Sequence, residues 1–187
     1  HAAGELIGDA GALYFINRAD SGSCNTEGQL TAELLRVRKS FNVTHESGSR
    51  SQKAFVSTGT KVVFDGGTPT FSMTSGEGRT LSRFHDVEFL VSTSTTSNWA
   101  STGTVTIPSG VTVSTSPDAW LTNMTITGGI FDLNSDLDVS GAVLVQSSGR
   151  LDCASDCTFR GTTDIRGASQ LMVGRSMWTT ALPDFDV

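Results

Sequence analysis

IFDLNSDLDVSGAVLVQSSG, residues 130–149, is repeated in register by RLDCASDCTFRGTTDIRGAS, residues 150–169, and in a worn form by QLMVGRSMWTTALPDFDV, residues 170–187. Written one above the other, the copies stack Phe131 on Leu151 and Leu171, Leu133 on Cys153 and Val173, and Leu137 on Cys157 and Met177. The match continues through Val139 and Phe159, Gly141 and Gly161, and Val145, Ile165 and Phe185. A fixed period of about twenty residues is the mark of a solenoid, because one such repeat cannot bury its apolar side except against its neighbours.

Inside one repeat the apolar positions form three short alternating runs: Phe131 with Leu133, Leu137 with Val139, and Val143 with Val145. Between them lie Asn134-Ser135-Asp136, Ser140-Gly141 and Ser147-Ser148-Gly149, which is turn chemistry. Helical repeats would need apolar spacings of three and four sustained over ten or more residues, and that pattern is absent. The sequence therefore predicts an all-β, single-stranded parallel β-helix with three-strand rungs of about twenty residues.

Upstream the rhythm loosens. Leu35, Val37, Phe41 and Val43 alternate with Arg36, Arg38, Asn42 and Thr44, which predicts strands; a helix over 31–39 is the competing reading, since that stretch holds good helix formers and ends in basic residues. Further strands are expected at 61–64, 70–73, 87–90, 104–107, 111–113 and 124–127. Turns are expected at Asp65-Gly66-Gly67, at 75–78, at Pro108-Ser109-Gly110 and at Gly128-Gly129. The polar stretches STSTTS (92–97) and STSP (114–117) read as loops or outward bulges, and 21–24 as another loop. These signals divide the chain into a first rung or cap over 1–29, which contains the apolar run ALYFI, a solenoid over 30–173, and a degenerate last rung or cap over 174–187. In that last copy Gly174-Arg175-Ser176 replaces the usual corner, and Pro183 stands where Val143 and Thr163 were. Proline suits an edge and ends a ladder, so 178–187 is expected to be a cap or docking strand rather than another full rung.

With 187 residues, 37% of them hydrophobic, the chain suits one domain with a sizeable core. A net charge of -6 argues against a nucleic-acid partner, which needs clustered Lys and Arg. The one basic cluster, Arg36, Arg38 and Lys39, reads first as a solvated outer face and second as an anion site. No run of eighteen apolar residues is present, so no membrane span is expected. A first residue of histidine fits a processed chain or a segment of something larger.

The segments KSFNVTHESGS (39–49), TKVVFDGGTPTFSM (60–73), FHDVEF (84–89), GTVTIPSGVTV (103–113) and the run 124–152 resemble the β-solenoid repeats of large secreted surface proteins of Gram-negative bacteria. Those families include Bacteroidetes-type exoproteins and, more loosely, autotransporter adhesins. The resemblance covers roughly 30–173 and implies the fold and an extracellular or cell-surface setting; it carries no catalytic motif.

Chemistry has few footholds. Asp132 and Asp152 stack at an outward position, with Met172 next in the column, and Asp136 and Asp156 stack at a corner. Like charges opposite each other on neighbouring strands repel, so either solvent screens them or a cation sits between them, and oxygen-rich corners suit Ca²⁺. In the twenty-residue alignment neither column has a third acid, which favours screening. The set His85-Asp86-Val87-Glu88 places its His and Glu on opposite faces of a strand, a poor metal site. Neither G-x-S-x-G nor H-E-x-x-H nor a phosphate-binding glycine loop occurs. Cys153 and Cys157 both fall in inward columns flanking one corner, either as buried thiols acting as small hydrophobes or as a corner-stapling disulfide; Cys24 makes the count odd. Asn42 and Asn123 each begin an Asn-x-Thr sequon, unremarkable in a Thr-rich chain.

The expected function is that of a non-catalytic structural or adhesive module, extracellular or at a cell surface, meeting other protein subunits or cell-surface glycans and open to homo-oligomerisation. The alternatives are a virion component, as a tail-fibre, spike or capsid-decoration protein, and a carbohydrate-active β-helix enzyme, which would draw its paired acids from columns such as Asp132 and Asp152.

Overall fold

A computed structural model describes residues 5–8, 13–17, 32–45, 55–73, 82–180 and 184–186. These form strands and corners with no helix among them. The first strands are β1 (Glu5–Gly8), β2 (Leu13–Asn17), β3 (Leu34–Val37), β4 (Phe41–His45), β5 (Lys61–Phe64), β6 (Thr70–Met73), β7 (Asp86–Phe89) and β8 (Thr93–Thr95). Two long strands follow, β9 (Trp99–Ile107) and β11 (Ala119–Thr127), with β10 (Thr112–Thr115) between them. The regular repeats supply β12 (Ile130–Leu133), β13 (Leu137–Val139), β14 (Val143–Gln146), β15 (Arg150–Cys153), β16 (Cys157–Phe159) and β17 (Thr163–Arg166). The last copy supplies β18 (Gln170–Val173), β19 (Met177–Thr179) and β20 (Asp184–Asp186).

Every described strand pair is parallel, and each strand pairs with its counterparts in the rungs before and after it. One face runs β2-β4-β6-β8-β10-β12-β15-β18. The rest of each rung forms a sheet that divides at β11: the first half of that strand pairs with β13 and the second half with β14. The division follows a register shift between Leu121 and Asn123, where β11 bends round a corner against β9. Each downstream rung thus has three faces, as the alternating runs predict.

The predicted columns are borne out residue by residue. Phe131 pairs with Leu151 and Leu151 with Leu171; Leu133 pairs with Cys153 and Cys153 with Val173. On the next face Leu137 pairs with Cys157 and Cys157 with Met177, and on the third Val145 pairs with Ile165 and Ile165 with Phe185. Side chains alternate across a strand, so in the two full repeats these residues point inward together and are buried, whereas Met177 in the last copy is exposed. The interior is one continuous cluster whose composition changes along the axis. Its upstream part is aromatic, with Phe64 stacked on Phe89 at 5.0 Å between ring centroids, Phe41 edge-on to Phe55 at 4.9 Å and Phe71 edge-on to Trp99 at 5.4 Å. Its downstream part is packed mainly by Leu, Val and Ile. Each such side chain contributes about 1.5–3 kcal/mol on burial.

Two local expectations are decided by this packing. The helix alternative over 31–39 fails: β3 is a strand, with Leu35 and Val37 buried on one side. The polar stretches 92–97 and 114–117 are not wholly loops, because β8 and the end of β10 are strands with Thr93, Thr95 and Thr115 buried. Threonine has the β-branched shape a strand favours, and its hydroxyl finds a corner carbonyl: Thr95 Oγ1 donates to Ser97 O at 3.3 Å and Thr115 Oγ1 to Pro117 O at 3.2 Å. At the C-terminal side β19 pairs in register with β16 and β20 with β17. At the other end β1 pairs with β3 and β2 with β4 as an early rung; the loop expected at 21–24 and the turn expected at 75–78 lie outside the described residues.

Glycines hold two kinds of corner. Gly67, Gly110 and Gly128 adopt positive φ of 64°, 77° and 71°, a conformation that costs glycine nothing. Gly161 is there for space, since a Cβ on it would lie 2.2 Å from the Gly141 carbonyl oxygen.

Candidate functional site

Asp132 and Asp152 are register partners on an outer face, as the repeat predicts. The Arg150 guanidinium donates to the Asp152 carboxylate, so an internal cation on the same strand offsets the like-charge contact.

The corner column is tied together by hydrogen bonds between rungs. The Asp156 backbone N–H donates to Asp136 Oδ1 at 3.2 Å, and the Asp136 backbone N–H donates to Asp118 Oδ1 at 3.2 Å. Ser135 Oγ also donates to Asp118 Oδ1. Asp118 and Asp136 therefore each accept an N–H of the next rung, a charge-assisted bond that stabilises the stack. Asp118 is a third acid in this column that the twenty-residue alignment omits, because the offset from Asp118 to Asp136 is 18 residues whereas that from Asp136 to Asp156 is 20. Among the described residues no group of three or more His, Cys, Asp or Glu side chains is gathered as metal ligands.

The remaining sequence candidates are drawn into structural contacts. Cys153 and Cys157 face each other inside the corner at a Cα–Cα distance of 6.5 Å, and the structure pairs their sulfurs as a disulfide. Both are buried. The set around His85 disperses: Glu88 pairs with Lys61 Nζ at 2.6 Å, Asp86 Oδ1 accepts the Thr104 N–H at 2.7 Å, and the His85 ring lies 3.9 Å from Asp86 Oδ2 and 3.4 Å from Thr102 Oγ1. Arg36 and Arg38 both reach Asp65 at the neighbouring corner, at 2.5 Å and 3.5 Å, so part of the basic cluster clamps a turn. The sequon asparagines join ladders as well. Asn42 Oδ1 accepts from Ser72 Oγ at 2.9 Å, and Asn123 Oδ1 accepts the Ala142 N–H at 2.9 Å. Cys24 and His1 lie outside the described residues.

What sequence reading missed is a groove of about 320 Å³ beside the acidic corner, lined by Asp118, Trp120, Asp136, Asp138, Asp156, Thr158 and Trp178, with Leu137 beneath. Its floor is a single outward column: Trp120 pairs with Asp138, Asp138 with Thr158, and Thr158 with Trp178. The inward neighbours of Trp120, Ala119 and Leu121, are fully buried, which by alternation turns the indole outward. Trp178 is 68% exposed, the most exposed of the large apolar side chains described. Arg160 holds Asp138 with two bonds, at 2.8 and 3.2 Å, and that hydrogen bonding and charge raise the guanidinium above its ordinary pKa. The signal that would have found the groove is parity: a Trp between two inward residues, recurring at the same outward position in the last copy.

Comparison with protein-family models, with curated proteins and with solved structures found no match for this chain.

Proposed function

We propose that this chain is a non-catalytic structural or adhesive module of a secreted or surface-exposed microbial protein. The observation that carries the reading is where the outward polar side chains are spent. Asp152 is held by Arg150, Asp118 and Asp136 cap backbone amides of the next rung, and Asp138 is held by Arg160. Acids engaged in this way stiffen a rod that presents Ser, Thr and Asp to a partner, and they are poorly placed as a free acid and base flanking a scissile bond. Pairing of Cys153 with Cys157 supports an oxidising compartment, where such bonds persist.

The test is to incubate the full chain with panels of neutral, amine-bearing and acidic polysaccharides and with intact cells, following both retention and cleavage. Retention without new reducing or unsaturated ends is the expected result. Turnover lost on changing Asp132→Asn or Asp152→Asn would replace this reading with a carbohydrate-active enzyme.

A further inference from the structure

We infer that the groove between Trp120 and Trp178 is a glycan-binding subsite for a short run of neutral or amine-bearing sugar residues. This rests on the adhesive reading above and names its ligand class. Two indoles occupy one outward column with Asp138 and Thr158 between them. Adjacent strands lie about 4.8 Å apart, so three rung spacings separate the indoles by roughly 14 Å. That separation is too long for both rings to enclose a single ammonium group, since a cation must sit within about 6 Å of a ring centroid to be held by it. It suits an extended ligand that offers an apolar face at two points along its length, as the C–H faces of pyranose rings in an oligosaccharide do.

The polar side of the groove is built from acceptors. The inter-rung bonds use Oδ1 of Asp118 and Oδ1 of Asp136, and among the described residues nothing donates to their Oδ2 atoms or to the Asp156 carboxylate. A complementary ligand must donate hydrogen bonds, and sugar hydroxyls or amines do so. Sugars carrying carboxylate or sulfate groups would meet three aspartates at one corner and be repelled. The backbone that carries both indoles is fixed by the parallel ladder, which limits the ordering cost of binding to the side chains.

The experiment is titration of the full chain with a neutral β-linked oligosaccharide, its amine-bearing counterpart and a uronic-acid oligomer, followed by indole fluorescence and calorimetry. Binding of the first two and exclusion of the third is expected. Trp120→Ala and Trp178→Ala should each weaken binding by about tenfold or more, with thermal melts of the exposed Trp178 variant unchanged. Asp136→Asn keeps an oxygen for the Asp156 N–H, so it should preserve the fold while reducing preference for the amine-bearing sugar. Glycan binding unaltered in both Trp variants would overturn this site and leave the adhesive reading standing. Wild-type protein that binds none of the three sugars yet adheres to cells would do the same. Trp-dependent binding of a lysine-rich peptide with no sugar bound would make the groove a cation site and overturn the proposal, whereas cleavage of the oligosaccharides would overturn the adhesive reading itself.

Discussion

At the scale of single residues, a column position and a surface position two turns away differ by everything that surrounds them. Leu151 is fully buried between its partners Phe131 and Leu171. Leu151→Asp would place a carboxylate there without a counter-ion, and a loss of about 3–5 kcal/mol is expected. Ala168→Asp, on an exposed corner, should change stability by no more than about 0.5 kcal/mol; equal shifts in paired urea melts would refute the stacking. Glycine gives a second contrast. Gly161→Ala drives a methyl to 2.2 Å from a backbone oxygen, whereas Gly59 has nothing within 4 Å of the same position. The first should cost about 1–3 kcal/mol and Gly59→Ala close to none, read as denaturation midpoints.

At the scale of elements, the corner between β15 and β16 carries a predicted covalent staple. One reactive thiol is expected in denatured, unreduced protein and all three cysteines of the chain after reduction, read by thiol titration. Three thiols before reduction would leave Cys153 and Cys157 as buried apolar side chains. A loop this short closes little chain entropy, so reduction should lower stability by only about 2 kcal/mol. The acid ladder at the adjoining corner is a separate device: Asp118 and Asp136 hold rungs together by accepting backbone N–H groups of the next rung.

At the scale of the whole molecule, each rung is stabilised by its neighbours, so removal of the last strands is felt by the rung before. Ending the chain after Ser176 deletes β19 and β20, which cover the β16 and β17 edges above Phe159 and Ile165. Unpaired edges recruit other chains. A lower melting temperature and larger particles in light scattering are the expected outcome, and a variant of unchanged size and stability would refute it.

The fold was legible in the sequence because a parallel β-helix repeats one apolar pattern: three aligned copies were enough to assign which residue stacks on which from Ile130 onward. Proline at 183 and the changed corner at 174–176 suggested an end, yet backbone pairing of β19 and β20 survives both. Tertiary structure alone decided the rest, for a physical reason that recurs at each site. Rung length varies upstream, so Asp118 comes onto the acid column and Trp120 onto the groove floor only once β11 bends round its corner. Likewise a polar run such as STSTTS becomes a core strand only when a neighbouring carbonyl is there to accept the buried Thr95 hydroxyl. The period belongs to the chain; the alignment of Trp120, the aspartates and Trp178 along one groove belongs to the coil, because parallel stacking sets residues from successive rungs one strand spacing apart in a single column.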